Sequence, residues 1–276
     1  MVTPMNTPDF FSPDGVTWAP LWSAQMMETH GLFVVSTPIG HCEDMTLRAL
    51  ETLRRVDGIL CEDTRTTRTL LNHYHISKPC YSYHNHNEHG KMAGIVHRLK
   101  KGDRLALVSD RGTPLISDPG LLLVQACQNE KIPVHVLGGV SAVMHAVVGS
   151  GLACRSFYFQ GFMPHRKIKE HWDFLSTMPV PMVFFVAPHD LQDFTASALK
   201  NLGPRSACLM RELTKKFEER VALSLDQMLD WVGKMPHLGE CVMVIDGKAV
   251  EKRIATSKYT KDDPVIYVDS VDGEGS

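Results

Sequence analysis

The stretch that most narrows the possible folds is Leu107–Gly120, LVSDRGTPLISDPG. It continues an apolar run, Arg104–Val108, which is too short for a helix and reads as a buried strand. The run breaks into Ser109-Asp110-Arg111-Gly112-Thr113-Pro114, a cluster of turn formers, then into Ser117-Asp118-Pro119-Gly120. An amphipathic helix, Leu121–Asn129, follows at once. Gly112 and Gly120 are free to take positive φ, whereas Pro114 and Pro119 fix theirs. The expectation is a stiff loop at the carboxyl end of a strand, the place where open α/β sheets bind ligands. Asp110 and Asp118 offer acceptors to ligand hydroxyls or amines, and backbone amides offer donors to a carboxylate. The plainer reading is two turns and a helix N-cap at Ser117 or Asp118.

The same unit recurs along the first half. Leu32–Val35 runs into Ser36-Thr37-Pro38-Ile39-Gly40, then a helix over Leu47–Arg55 capped by Asp44 or Thr46. Gly58–Cys61 ends in Glu62-Asp63-Thr64-Arg65 before a helix over Thr66–His73. Lys78–Tyr83 leads through His84-Asn85-His86-Asn87-Glu88-His89 to a helix over Lys91–Leu99, and Pro133–Leu137 leads through Gly138-Gly139-Val140-Ser141 to a small apolar helix, Ala142–Gly149, expected to pack behind the loops. Strands alternating with helices predict an α/β fold with a parallel sheet. The crowded charges at 62–65 are costly to bury unless paired, so they serve either a site or an Asp63–Arg65 pair that caps the helix. The histidine cluster invites a metal reading, but no neighbouring Cys/His pair completes a four-ligand set, so no metal is expected.

Leu152–Ser156 reads as a junction, dividing a domain at 31–151 from one at 152–247. The second domain carries strands at Phe157–Phe159, Pro181–Val186, Arg205–Met210, Glu218–Leu223 and Cys241–Ile245. Helices at Lys167–Ser176, Leu191–Asn201 and Leu225–Lys234 alternate with most of them, predicting a mixed sheet. Residues 1–30 read as a poorly ordered extension and 248–276 as a polar, disordered tail. The hydrophobic share of 43% suits a full core, and the net charge of −2 means that any nucleic-acid contact needs a local basic patch. Two such groups stand out: His165-Arg166-Lys167-Ile168-Lys169, and Arg211, Lys215, Lys216 and Arg220. The seven scattered cysteines contain no Cys-x-x-Cys and fit buried thiols in a reducing cytoplasm. No apolar run approaches the ~20 residues of a membrane span.

Several of these segments carry a resemblance. SDRGTPLISDPG is similar to the SDAGTPGISDPG segment of the ribosomal small-subunit RNA cytidine 2′-O-methyltransferases of the tetrapyrrole methylase superfamily. STPIGHCEDMTLRA resembles that family's ATPIGNLxDITLRA, and CEDTR and RELTK (Arg211–Lys215) match it directly. HNHNE, GGVSA, QGFMP (Gln160–Pro164) and APHD (Ala187–Asp190) stand where the family has HEHNE, PGPSA, EGFLP and ESPHR. The departures are Arg111 for a small residue, Leu115 for a glycine, two lost prolines at 138–140, Asn85, and Val186-Ala187 for Glu-Ser.

The resemblance implies two α/β domains with an S-adenosylmethionine cleft between them, 2′-O-methylation of small-subunit ribosomal RNA or the assembled subunit, and a homodimer. It places Pro38, Gly40, Ser109, Asp110, Gly112, Thr113, Pro114, Ser141, Ala142, Phe162, Pro188, Arg211 and Glu212 at the cofactor. Arg65, Asn87, Glu88, Arg111, Arg166, Lys167, Lys169, Lys215 and Lys216 fall on the RNA side, with Arg111 expected to swing outward as a phosphate contact. A 2′-hydroxyl needs its proton drawn off, and Glu62, Asp63 and His86 are the candidates. Two alternatives stay open: a tetrapyrrole C-methyltransferase, disfavoured by CEDTR and RELTK, and a catalytically degenerate cofactor-binding homologue, favoured by the departures.

Overall fold

A computed structural model describes residues 29–234 and 239–249; most of the expected extension and tail lie outside them. The first half forms strands β1 (Gly31–Val35), β2 (Gly58–Cys61), β3 (Cys80–Ser82), β4 (Arg104–Val108) and β5 (Val134–Leu137). They make one sheet in the order β3-β2-β4-β1-β5, and every pairing is parallel. Helices α1 (Leu47–Arg55), α2 (Thr64–His73), α3 (Glu88–Lys100) and α4 (Leu121–Asn129) cover its two faces. The strand pleat decides which face each residue serves. Phe33, Val35, Ile59, Ala106 and Val108 pack with Ala49, Leu50 and Leu53 of α1 and Leu71 of α2. Leu32, Val34, Leu60, Leu105 and Leu107 pack with Ile95 and Leu99 of α3 and Leu123 and Cys127 of α4.

The second half is a mixed sheet of β6 (Tyr158–Gly161), β7 (Met182–Val186), β8 (Ser206–Arg211), β9 (Glu219–Ser224) and β10 (Cys241–Ile245), in the order β6-β7-β10-β8-β9. Only β6 and β7 pair in parallel there. Between halves runs α5 (Ala142–Ser150). The second half adds α6 (Ile168–Ser176), α7 (Leu191–Leu202) and α8 (Leu225–Val232). Trp172, Phe184, Phe194, Met228 and Met243 form the core beneath α6, α7 and α8.

Local chemistry explains the helix starts. Thr46, extended at φ −73° and ψ 145°, caps α1 by accepting from the Ala49 amide at 3.2 Å. Asp44 instead lies in a short 3-10 turn, Cys42–Asp44. Asp63 caps α2 and accepts from the Arg65 amide at 2.7 Å. Three expectations need correction. The α4 cap is Gly120 at φ 127°, not Ser117 or Asp118. An added Cβ on Gly120 would stand 2.6 Å from Leu107 Cδ2, so only glycine fits that turn. β3 shrinks to three residues, and α3 starts at Glu88 because the loop closes on itself: Asn87 Oδ1 accepts from the His84 amide at 3.0 Å. Finally, α5 does not pack behind the loops. Its buried face, Val143, Ala146 and Val147, lies on Val183, Cys208, Met210, Val242 and Val244 of the second sheet.

Candidate functional site

Because the first sheet is wholly parallel, β1, β2, β4 and β5 all deliver their loops to one edge. Hydrogen bonds join these loops into one floor. Thr37 and Gly112 form a two-way backbone bridge, at 2.8 Å from the Thr37 amide and 3.1 Å from the Gly112 amide. Ser36 Oγ lies 3.1 Å from Thr113 Oγ1 and donates to the Leu137 carbonyl at 3.2 Å. Asp110 Oδ1 accepts from the Asp63 amide at 3.1 Å, tying the β4 loop to the β2 loop. The organising stretch is held in a strained shape: Leu115 and Ser117 sit at φ 72° and 66°. The left-handed region costs a side chain roughly 1–2 kcal/mol, so the departure Leu115 carries a strain that a glycine there avoids.

The second half roofs this floor, and two cavities among the described residues open along it. The first, of about 510 Å³, is lined by Asp110–Thr113, Ile116–Asp118, Ser141–Val143, Phe162, Phe185–Pro188 and Glu240–Val242, with Ile39 and Thr66. That is within the ~300–1,000 Å³ of small-molecule sites. The second, of about 430 Å³, is lined by Pro38, Gly40, Cys42, Thr66, Thr67, Thr69, Leu70, His73, Ser109, Asp110, Arg111 and Lys215. Thr66, Asp110 and Arg111 belong to both and form the wall between them.

Acidic groups dominate the electrostatics. Burial, then the nearby Glu62 carboxylate, pushes Asp118 up to about 6. Burial also raises Glu62, helped by Asp110, and raises Asp110, helped by Asp63. Asp63 goes the other way: the Arg65 guanidinium, with Nε 3.1 Å from Oδ1 and Nη2 2.7 Å from Oδ2, holds it down at about 2. Carboxyls raised by burial and by one another favour a cationic ligand. The first cavity therefore fits a cofactor with a sulfonium and an amino group, its lining offering the Asp118 carboxyl for the charge and Phe162 and Phe185 for an apolar wall.

The expected residues divide. Asp110, Arg111, Gly112, Thr113, Ser141, Ala142, Phe162 and Pro188 line the first cavity, and Pro38, Gly40, Ser109 and Lys215 the second. Pro114 is buried within the loop and lines neither cavity. Arg211 donates to Glu219 on the neighbouring strand at 2.6 Å, and Glu212 accepts from Lys215 Nζ at 2.7 Å and the Glu240 amide at 2.8 Å; neither lines a cavity. Glu62, Asp63, Arg65, His86, Asn87 and Glu88 also stand outside both linings. His86 is exposed with its ring 5.9 Å from His84, Asn87 is spent on its own loop, and Glu88 meets the Tyr83 hydroxyl at 3.5 Å. Among the described residues, no group of three His, Cys, Asp or Glu could hold a metal ion.

The basic rim is less uniform than expected. Arg166, Lys167 and Lys169 are exposed, Lys167 lying 3.7 Å from Glu170, and Lys216 stands 5.4 Å from the Phe217 ring centroid. Lys215 is largely covered and bridges Glu212 and Glu240, the latter at 2.9 Å. Arg111 neither swings clear of the protein nor fills the first cavity; it pairs with Glu240 of the second half. Sequence reasoning missed Glu240, which arrives from far along the chain. It also missed the stripe Thr66, Thr69, Leu70 and His73 on α2, whose i, i+3, i+4, i+7 spacing is a helix face. The stripe is mostly polar, so a search for apolar periodicity passes over it.

Comparison with known proteins points one way. The Tetrapyrrole (Corrin/Porphyrin) Methylases family matches residues 31–229. The chain is 40% identical over 218 residues to Ribosomal RNA small subunit methyltransferase I of Thermotoga maritima, spanning 79% of this chain and 98% of that protein. It is 39% identical over 218 residues to the protein of the same name from Halalkalibacterium halodurans, spanning 78% and 75%. Among solved structures, uroporphyrin-III C-methyl transferase from Thermus thermophilus complexed with S-adenyl homocysteine superposes with a TM-score of 0.57 over 78% of this chain and 97% of that one, at 17% identity, a likeness of fold.

Proposed function

The chain belongs to the tetrapyrrole methylase family, and from that premise we propose that it is an S-adenosylmethionine-dependent methyltransferase of small-subunit ribosomal RNA, acting on the 2′-hydroxyl of a cytidine ribose. The observation that carries the reading is the pair of cavities meeting at Asp110, Arg111 and Thr66. One side takes the cofactor, the other the acceptor, and reaction occurs where they meet.

When bound, the cofactor supplies an electrophilic methyl group. The protein's part is to hold the hydroxyl oxygen in line with that carbon, which removes much of the entropic barrier. It must also accept the hydroxyl proton. Among the described carboxyls, Asp110 combines a place on the shared wall with a raised pKa, and is assigned here as the acceptor. Glu62 is close enough to Asp110 for the two carboxyls to repel, which adds to the raised pKa of Glu62. Asp63, held at about 2 by Arg65, is a poor base, and its role is to cap α2 and orient its neighbour. Arg166, Lys167, Lys169 and Lys216 supply surface charge for the RNA backbone.

The working form is proposed to be a homodimer. Val136 on edge strand β5 and Met144 and Val148 on α5 are exposed apolar side chains that a second copy would cover; light scattering tests this. All seven cysteines are unpaired thiols, and no described helix is long and apolar enough to cross a membrane. The thiols suit a reducing cytoplasm, the proposed site of action. The deciding experiment incubates the protein with methyl-labelled S-adenosylmethionine and small ribosomal subunits lacking the modification. Label should appear in RNA as an alkali-resistant dinucleotide. Label on a tetrapyrrole but not on RNA would transfer the assignment to carbon methylation, and cofactor binding without any transfer would mark a degenerate homologue.

A further inference from the structure

Arg111 and Lys215 come from opposite halves of the molecule, yet both converge on the carboxylate of Glu240. Both cations line the second cavity, whose opposite wall is the polar face of α2 with Thr66, Thr69 and His73. Lys215 has a second partner in Glu212, 2.7 Å away, so it stays neutralised without Glu240. Glu240 itself is 62% exposed and lines the first cavity, not the second. A carboxylate bridging a guanidinium and an ammonium presents two anionic oxygens, as a phosphodiester does. An exposed pair of this kind contributes little stability, so it is cheaply exchanged.

We propose that the second cavity is the subsite for the acceptor nucleotide and its flanking phosphate, and that Glu240 is a placeholder for that phosphate. This rests on the ribosomal RNA reading given above. In the free protein Glu240 keeps Arg111 and Lys215 in position. The incoming phosphodiester displaces its carboxylate and takes over the guanidinium, while the threonine hydroxyls and His73 of α2 face the sugar and base. Glu240 therefore competes with RNA, and removing its charge strengthens binding, the reverse of what loss of a simple contact between the halves would do.

The test measures binding of a labelled, unmodified small-subunit ribosomal RNA transcript to the full chain across a salt series. Glu240→Gln is expected to tighten binding about fivefold, equivalent to ~1 kcal/mol of competition removed. It should also steepen the salt dependence by up to about one unit of slope. Adding Arg111→Met should abolish the gain, and Glu240→Ala should reproduce it. Unchanged or weaker binding by both Glu240 variants, or a gain that survives Arg111→Met, overturns the proposal. Those outcomes leave methyl transfer by the unmodified protein intact. If the unmodified protein neither binds the transcript nor methylates subunits, the RNA reading falls and this inference falls with it.

Discussion

At the scale of single residues, two aspartates close together in the chain do opposite work. Asp110 sits on the wall shared by both cavities and accepts from the Asp63 amide at 3.1 Å. Asp110→Asn keeps an oxygen for that amide but cannot take a proton. Turnover should fall by ~10²-fold or more while cofactor affinity changes far less, as read by single-turnover kinetics and calorimetry; a variant with normal turnover would move the base elsewhere. Asp118 is a charge held against its preference, its pKa pushed up to about 6 by burial and by Glu62. The folded state holds that proton more tightly than the unfolded chain. The ionised carboxyl therefore destabilises the fold, and the penalty grows as pH rises from the unfolded value through about 6. Asp118→Asn should stabilise the protein by ~1–3 kcal/mol at neutral pH and by almost nothing near pH 4, measured as denaturant midpoints. A cation in the cleft reverses the preference. S-adenosylmethionine affinity should rise up to about tenfold between about pH 5 and about pH 7.5, and less for S-adenosylhomocysteine, which lacks the sulfonium charge. A flat profile for both ligands would place Asp118 away from the charge.

At the scale of elements, caps and pleats position the loops. α1 begins where Thr46 accepts from the Ala49 amide, and its buried side, Ala49, Leu50 and Leu53, locks onto Phe33 and Ile59. The loop from Ser36 to Met45 is anchored by this helix at one end and β1 at the other. Thr46→Ala should cost ~1 kcal/mol of stability, seen as a lower melting temperature. Thr46→Ser should recover most of the loss, because serine restores the acceptor; no recovery would assign the loss to the missing methyl group.

At the scale of the whole molecule, the cleft depends on how closely the halves approach. The Gly40 loop meets the Leu213–Lys215 turn, with the His41 amide donating to Thr214 Oγ1 at 3.0 Å. A Cβ at Gly40 would stand 2.6 Å from Lys215 Cγ and 2.7 Å from the Leu213 carbonyl oxygen. Across the cleft, a Cβ at Gly161 would stand 2.9 Å from Ser117 Oγ. Gly40→Ala must separate the seam. We expect RNA methylation to fall by about tenfold or more, since small displacements in a positioning site are costly. Thermal stability should change by less than ~2 kcal/mol, because Gly40 belongs to none of the four buried hydrophobic clusters. Full activity would show that the seam tolerates movement.

The sequence by itself determined the elements and the floor of the site. Continuous apolar runs too short for helices, each followed by a polar or turn-forming loop and a helix, admit little except a parallel α/β sheet with its loops at one edge. That logic is local, which is why the loops that carry Pro38, Asp110, Gly112 and Thr113 could be placed from their neighbours in the chain. The tertiary structure alone decided what those loops face. Lys215 and Glu240 lie 25 residues apart, and Arg111 meets the carboxylate they share only because the second sheet folds back over the first. The partner of a charge is set by distance in space, so the chain order that predicts a turn carries no information about which carboxylate Arg111 will find. The same holds for α5, whose apolar face was visible in the chain while the choice of sheet was not: burial of apolar surface has no direction, and α5, joined to the first sheet through residues 138–141, settles with Leu152 and Cys154 on the second core.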